Sequence, residues 1–254
     1  MITLITLTQG NPVALKRTID NVVAAFDGKV NEVIVGDFCV FESDRVKMVQ
    51  EQYSVYCAQY KMPFNWLFEN GFAFILNALS ERASNDLCLY MNVGEIVEKN
   101  IRLDLLNENW NCFKFNHATE THQWIRMWNR HQLEWSGRIH EEVIGQKYIS
   151  PDCIFQMADT EKDNSDPFYS AVMNDIKELV YFNQYIKLVE YPHEQGATNS
   201  GWLTYARDSY HNIKERLEAK GARYEAFKEG NLQKYLDNCQ EFEPQQNSDL
   251  IHFQ

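Results

Sequence analysis

Two different spacings of apolar residues alternate over the first 90 residues. Ile2–Thr8 alternates apolar residues with threonines, the period of a strand. Asn11-Pro12 then supplies an N-cap with proline at the first helical position. Leu15, Ile19, Val22 and Phe26 recur at helical spacing, which predicts an amphipathic helix over 12–26, closed by Asp27-Gly28. Val30–Phe38 predicts a second strand with a polar turn at Asp37. Ser43-Asp44 can cap a second helix, with Val46, Val49, Tyr53 and Tyr60 on one side. Phe64–Phe68 reads as a short aromatic strand, Asn70-Gly71 opens a third helix reaching about Arg82, and Leu87–Met91 reads as a fourth strand.

That alternation is the pattern of an α/β domain, with a mostly parallel sheet flanked by helices. Right-handed crossovers then place the strand ends, and any ligand, along one edge of the sheet. Residues 110–135 change character: W-N-C-F-K-F and Q-W-I-R-M-W, with a turn at Asn129-Arg130-His131, predict added, mostly antiparallel strands. From Pro167 the helical period returns at Tyr169, Val172, Ile176 and Leu179, and again over Gly201–Gly221 and Ala222–Cys239. The expected organisation is a sheet-bearing domain over 1–150 with a mostly helical C-terminal region, 151–254, packed on it.

Lys plus Arg number 24 and Asp plus Glu 36, a formal net charge of −12. This argues against a protein built to grip a phosphate backbone, while leaving room for a local basic pocket. With 44% apolar residues the composition is that of a folded globular chain. No apolar run approaches the ~18–20 residues that span a bilayer. The first residues lack a basic stretch followed by an apolar one, so a soluble, cytoplasmic protein is expected. Six cysteines without a C-x-x-C read mainly as small buried hydrophobes in a reducing compartment.

Several segments could carry chemistry. The fourth strand runs into Met91-Asn92-Val93-Gly94-Glu95, a polar cluster at the end where open α/β sheets bind ligands, or simply a loop. Asp37 can close a turn or contact a ligand at the end of its strand. Glu141-Glu142 can be a charged helix opening, or one of them a general base beside His140. Arg126, Arg130 and Arg138 fall in one short stretch, and a guanidinium fork matches two phosphate oxygens. Trp124, Trp128 and Trp135, with Phe113 and Phe115, are either core or a sugar-stacking wall. The remaining histidines show no ligand spacing.

In their order and spacing these segments resemble the family 2 glycosyltransferases, which have a GT-A fold. The opening strand with Asn11-Pro12 and Leu15 is similar to that family's first strand and helix. Glu32-Val-Ile-Val-Gly-Asp37 looks like the strand whose last aspartate holds the nucleotide base. Asn70-Gly71-x5-Asn77 followed by Asn85-Asp86-Leu-Cys-Leu-Tyr-Met resembles the approach to the diphosphate site. Ile125-Arg126-Met-Trp-Asn-Arg130 with Trp135-Ser-Gly-Arg-Ile-His140-Glu141 is similar to a segment of one bacterial and phage-like branch. The likeness covers roughly residues 1–145. It implies transfer of a sugar from a nucleotide-sugar to an acceptor hydroxyl, with inversion. Thr8, Asp37, Asn77, Asn92, Arg126 and Arg138 would contact the donor, and Glu141 would be the base with His140 beside it. Glu95 and Asn92 would flank a divalent metal. In that branch helical C-terminal segments serve the acceptor site or self-association, so a homo-oligomer is one expectation.

The chain departs from the family pattern where Asp-x-Asp is usual, having Asn92-Val93-Gly94-Glu95 instead. Mg²⁺ or Mn²⁺ is held by hard, preferably charged oxygens, so fewer carboxylates imply weakened metal binding. Two alternatives stay open: a non-catalytic GT-A-like binding or scaffold protein that has lost its metal, and a phage-type enzyme acting on modified DNA. The acceptor could be a glycan, a lipid-linked glycan or a modified nucleic acid. The DNA alternative requires a basic face around the three arginines and the Lys/Arg of residues 214–223.

Overall fold

The computed structural model describes residues 1–39, 45, 52–63, 66–99, 101–107, 109–117, 123–137, 141–159, 167–190 and 200–242. Its strands and helices form two compact units. The first contains residues 1–63, 72–136 and 141–163; the second contains 64–71, 137–140 and 164–254.

In the first unit β1 (Ile2–Thr8) is followed by α1 (Pro12–Ala25) and β2 (Val30–Asp37). The helix starts where its cap requires. Asn11 Oδ1 accepts the Ala14 amide at 3.0 Å, and Pro12 loses nothing at a position whose N–H has no helical partner. Leu15, Ile19 and Val22 are buried on its inner face. β3 (Tyr56–Lys61) lies outside β2, and β4 (Leu87–Tyr90) lies on the other side of β1. These four strands are parallel in the order β3-β2-β1-β4.

The sheet continues through β7 (Gln123–Asn129), β6 (Cys112–His117) and β10 (Ile149–Asp159), and ends at β5 (Glu95–Lys99). β7 is antiparallel to both β4 and β6, β6 is parallel to β10, and β10 is antiparallel to β5. The eight-stranded sheet is therefore mostly parallel, as the sequence predicts, with an antiparallel insertion at the predicted place. β8 (Leu133–Ser136) and β9 (Glu142–Gly145) form a separate two-stranded ribbon.

The parallel strands are covered on both faces, which is why β1 is buried along its length, threonines included. Leu4, Val33, Val35 and Leu89 pack with Leu15, Ile19 and Val22 of α1. On the other face Gly36 lies under α2 (Trp66–Ser80): a Cβ there would meet Leu79 Cδ1 at 3.0 Å and Leu7 Cδ2 at 2.7 Å. Glu32, buried in the same sheet, is satisfied by Thr3 Oγ1 at 2.5 Å, the Ser84 amide at 2.8 Å and Ser84 Oγ at 2.9 Å.

Two predicted elements are corrected. Of the predicted strand Phe64–Phe68, Trp66–Phe68 are helical and the first two residues lie outside the described residues; the outer strand is Tyr56–Lys61. Tyr60 consequently belongs to β3 and not to a second helix, and Tyr53 lies outside any helix. The start of that predicted helix, Ser43-Asp44, lies outside the described residues. β3 has a partner on one side only and is half-buried, so it lacks the strong apolar alternation that marks a central strand. The predicted helix opening at Gly71 appears as a break inside α2, where Gly71 takes φ 81° and ψ 172°. That region of backbone space is essentially restricted to glycine.

In the second unit α3 (Pro167–Glu190), α4 (Ser200–Ala219), α5 (Ala222–Lys228) and α6 (Leu232–Phe242) follow the helical periods read from Pro167 onward, whereas residues 151–159, placed by the sequence in the helical region, belong to β10 of the sheet. Phe68 packs edge-on against Phe227 at 4.8 Å, and Asn183 and Gln184 donate to the carbonyls of Phe68 and Leu67. Asp175, buried, accepts from Arg223 and the Tyr235 hydroxyl, each at 2.8 Å, and pairs with Lys220.

Candidate active site

The carboxyl end of β4 carries the most organised polar group in the first unit. The chain leaves β4 at Tyr90, turns through 91–94 and enters β5 at Glu95, with the Glu95 amide donating to the Asn92 carbonyl at 3.0 Å. Glu95 folds its carboxylate back over this turn. One oxygen accepts the Asn92 backbone amide and the other the Asn92 side-chain amide, both at 2.6 Å. The Asn92 side-chain oxygen Oδ1 in turn accepts the Tyr90 hydroxyl at 2.6 Å. Thr18 of α1 pins the turn from below, its hydroxyl accepting from the Gly94 amide and donating to the Glu95 carbonyl, each at 3.0 Å. Gly94 has φ 98°, a conformation that disfavours any side chain. The same geometry explains why no carboxylate stands at position 94.

The antiparallel register of β4 and β7 pairs Leu89 with Met127, so Arg126 comes next, beside Tyr90. Its Nη2 lies 3.1 Å from the Glu95 carboxylate, and the two side chains are only 12% and 7% exposed. The guanidinium carbon sits 5.1 Å from the ring centre of Tyr90 and 5.8 Å from that of Trp124. These are cation–π distances, which fix the guanidinium plane as well as its charge. Burial pushes the Tyr90 phenol well above its ordinary range, so it stays a hydrogen-bond donor.

Tyr90, Asn92, Trp124, Arg126, Trp135 and Glu141 share the wall of one cavity of about 390 Å³, a size suited to a small-molecule ligand. Phe72 and Leu76 of α2 give it an apolar side, and Lys147 a second cation. Glu141 lies at the start of β9, where burial raises its carboxyl above the ordinary range. Trp135 meets Trp128 edge-to-face at 5.4 Å and is held by Asn77. The Asn77 side chain donates to the Trp135 carbonyl at 2.8 Å and accepts its amide at 2.9 Å.

The predicted site residues thus fall into three groups. Asn92, Glu95, Arg126 and Glu141 gather at the end of β4 and around the cavity. Thr8 and Asp37 are paired across β1 and β2 at the same edge of the sheet but do not line the cavity. Asp37 accepts from the Cys39 amide at 2.7 Å and Gln59 Nε2 at 3.0 Å, with Arg45 Nε at 3.4 Å. Thr8 Oγ1 accepts from the Gly10 amide at 3.2 Å. Asn77 spends both polar ends on the Trp135 backbone. Arg138 and His140 lie outside the described residues.

Further assignments follow. Arg130 is at the opposite end of β4, donating to the Asn85 carbonyl at 2.9 Å, so it is no partner of the cavity. Of the five aromatic residues considered as a wall, Trp128, Phe113 and Phe115 are core, while Trp124 and Trp135 line the cavity. Lys214, Arg216, Lys220 and Arg223 each pair with a carboxylate, so they do not form the unopposed basic face that duplex binding requires. Sequence reasoning did not single out Gln59, Arg45 or Thr18, because each acts through a partner at least eight residues away in the chain, nor Lys147, which lines the cavity and pairs with Glu142 five residues earlier.

The donor set decides whether a divalent ion suits this loop. Both Glu95 oxygens already accept hydrogen bonds, its charge is opposed by Arg126, and the Asn92 oxygen is taken by Tyr90. Among the described residues no group of three Asp, Glu, His or Cys side chains is gathered for a metal. Hard divalent cations need several free oxygens. As arranged, these residues do not fit one.

No family profile and no curated protein sequence matches the chain. Among solved structures it is similar to S. aureus TarS, with a TM-score of 0.40 and 9% identity over 95% of this chain and 55% of that one. It is similar also to TarS 1-349 in complex with UDP, with a TM-score of 0.39 and 8% identity over 95% and 90%. A third similar structure, from Bacillus anthracis, is named for glucose-1-phosphate thymidylyltransferase and holds a sucrose; its TM-score is 0.34, with 10% identity over 71% and 83%. The chain spans little more than half of the longer TarS chain. Likeness at this level assigns neither activity nor ligand to this chain.

Proposed function

We propose that this protein is a glycosyltransferase that moves a sugar from a nucleotide-sugar to an acceptor hydroxyl with inversion. The observation that carries this reading is the meeting of a fixed guanidinium and a half-buried carboxyl, Arg126 and Glu141, on one cavity wall at the carboxyl end of β4. The motif resemblance supplies the reaction type.

In this reading the donor's diphosphate lies toward Arg126 and its nucleoside toward the Thr8–Asp37 edge. The acceptor oxygen attacks the anomeric carbon from the side opposite the diphosphate. The new C–O bond forms as the bond from the anomeric carbon to phosphate oxygen breaks, and the nucleoside diphosphate leaves with the electron pair. Glu141 takes the acceptor's proton, a role favoured by the desolvation that makes its carboxylate more basic. Trp124 and Trp135 offer flat apolar surfaces to a sugar ring.

The test is a thermal-shift panel of UDP-, GDP-, dTDP- and CMP-sugars, followed by assay of sugar transfer with any donor that stabilises the protein. A ligand at 100 times its dissociation constant adds about 2.7 kcal/mol. Stabilisation by one nucleotide class, with transfer to an acceptor or to water, supports the reading. Stabilisation without transfer supports a binding protein, the alternative favoured by the closed Asn92–Glu95–Arg126 group. No stabilisation by any of them overturns both.

A further inference from the structure

We propose that Arg126 is the built-in counter-charge for the donor's diphosphate, and that donor binding needs no divalent ion. The inference rests on the glycosyltransferase reading.

Three observations carry it. First, the group at the end of β4 is closed on itself: Glu95 accepts two hydrogen bonds from Asn92 and one from Arg126, which also opposes its charge, so the carboxylate there is already committed. Second, Glu95 uses only part of the guanidinium. Among the described residues Arg126 makes a single hydrogen bond, to Glu95, and its other donors have no protein partner although the side chain is largely buried. A guanidinium held by one edge keeps a second edge that matches two oxygens of a phosphate. Third, the group is held in place before any ligand arrives. Tyr90 and Trp124 hold the guanidinium by cation–π contact, and α1 holds the turn through Thr18. Positive charge that is fixed in advance needs no reorganisation when a dianionic leaving group develops.

Glu95 is then a positioning residue for Arg126 and not a metal ligand. Lys147 lines the same cavity, but its ammonium lacks the flat two-pronged edge that Arg126 keeps beside Glu95. Glu141, which lines the cavity as well, is the proton acceptor of the proposed reaction. Arg126 is left as the cation best placed for phosphate.

The inference is tested by calorimetry with inorganic pyrophosphate, and with UDP, GDP and dTDP beside their nucleosides, in EDTA and in excess MnCl₂. The parent should bind pyrophosphate and one nucleoside diphosphate in EDTA, with dissociation constants within about threefold of those in Mn²⁺. Binding only in Mn²⁺, or tightening of tenfold or more by it, overturns the inference and leaves the glycosyltransferase reading standing. Pyrophosphate binding in EDTA with no nucleotide binding keeps the Arg126 site and overturns that reading. No binding of any probe in either condition overturns both.

The double variant Arg126→Met, Glu95→Gln removes the pair without stranding a buried charge. In EDTA it should lose tenfold or more in affinity for pyrophosphate and the nucleoside diphosphate, and bind the nucleoside as the parent does. Charge-assisted hydrogen bonds of about 1.5–3 kcal/mol set that scale. Unchanged diphosphate affinity overturns the inference. Arg126→Lys, which keeps the charge and loses the fork, should fall between the two. If the double variant does not fold, the parent's response to Mn²⁺ decides alone.

Discussion

Glu141 links burial, acidity and rate at a single residue. Desolvation raises its carboxyl above the ordinary value, and a base must be ionised to act. Turnover should therefore rise with pH along a limb displaced upward from the ordinary glutamate value of about 4.3. Glu141→Gln should lower turnover about 10²–10⁴-fold, erase that limb and leave donor affinity nearly unchanged, as steady-state kinetics and calorimetry would show. Glu142→Gln, at a side chain that is 71% exposed, should do far less. Equal losses in both would point to a shared electrostatic role. Stability should move the other way. A carboxyl whose folded pKa exceeds its unfolded one stabilises the fold below the unfolded value, and that contribution is lost as pH rises through the folded value. At neutral pH Glu141→Gln should thus melt slightly above the parent. A lower melting temperature would mean that the ionised carboxylate has a favourable partner in the fold.

Among the elements, the junction of α2 with β8 shows how one amide can hold a cavity wall. Asn77 replaces the hydrogen bonds that an extra strand would have given Trp135, and the Trp135 ring forms part of the wall. Asn77→Ala should strand both backbone groups and destabilise the protein by about 1–3 kcal/mol in urea denaturation. Because Trp135 then loses its tether, ligand affinity at the cavity should fall as well; stability lost with affinity intact would confine Asn77 to packing. The Asn70-Gly71-x5-Asn77 spacing pointed to this residue, yet a spacing cannot say whether an amide meets a ligand or a neighbouring strand. The same limit applies to β3. Tyr60 continues the helical spacing read from Val46, Val49 and Tyr53, yet it pairs with Gly36 of β2 in a strand.

At the level of the whole molecule, charge is mostly used internally. The net charge is −12, yet the cations that could have offered an anionic polymer a landing face are paired within the helical unit. Asp175 is the centre of that pairing, with Lys220, Arg223 and Tyr235 around it. Asp175→Ala should leave two cations without their buried counter-charge. A cost of about 3 kcal/mol is expected in chemical denaturation, since breaking one side of a buried pair costs more than the pair is worth. A change under 1 kcal/mol would show that solvent reaches the two cations and replaces the carboxylate. Among the described residues no helix is long and apolar enough to cross a membrane.

The sequence by itself determined three of the four parallel strands, the cap of α1 and the helices from Pro167 onward. These rest on short-range rules: period, capping chemistry and backbone freedom, all set by neighbours within a few residues. It also marked the end of β4 as a polar cluster, because a parallel sheet puts such ends along one edge. Tertiary structure alone decided the rest. Glu95 and Arg126 are 31 positions apart, and Asn77 and Trp135 are 58 apart. β5 finds β10 across more than fifty residues. Pairing between distant strands is set by burial of whole faces and not by any local signal. That is why the sequence could locate the loop at 92–95, whereas the guanidinium that closes it became visible only in the folded chain.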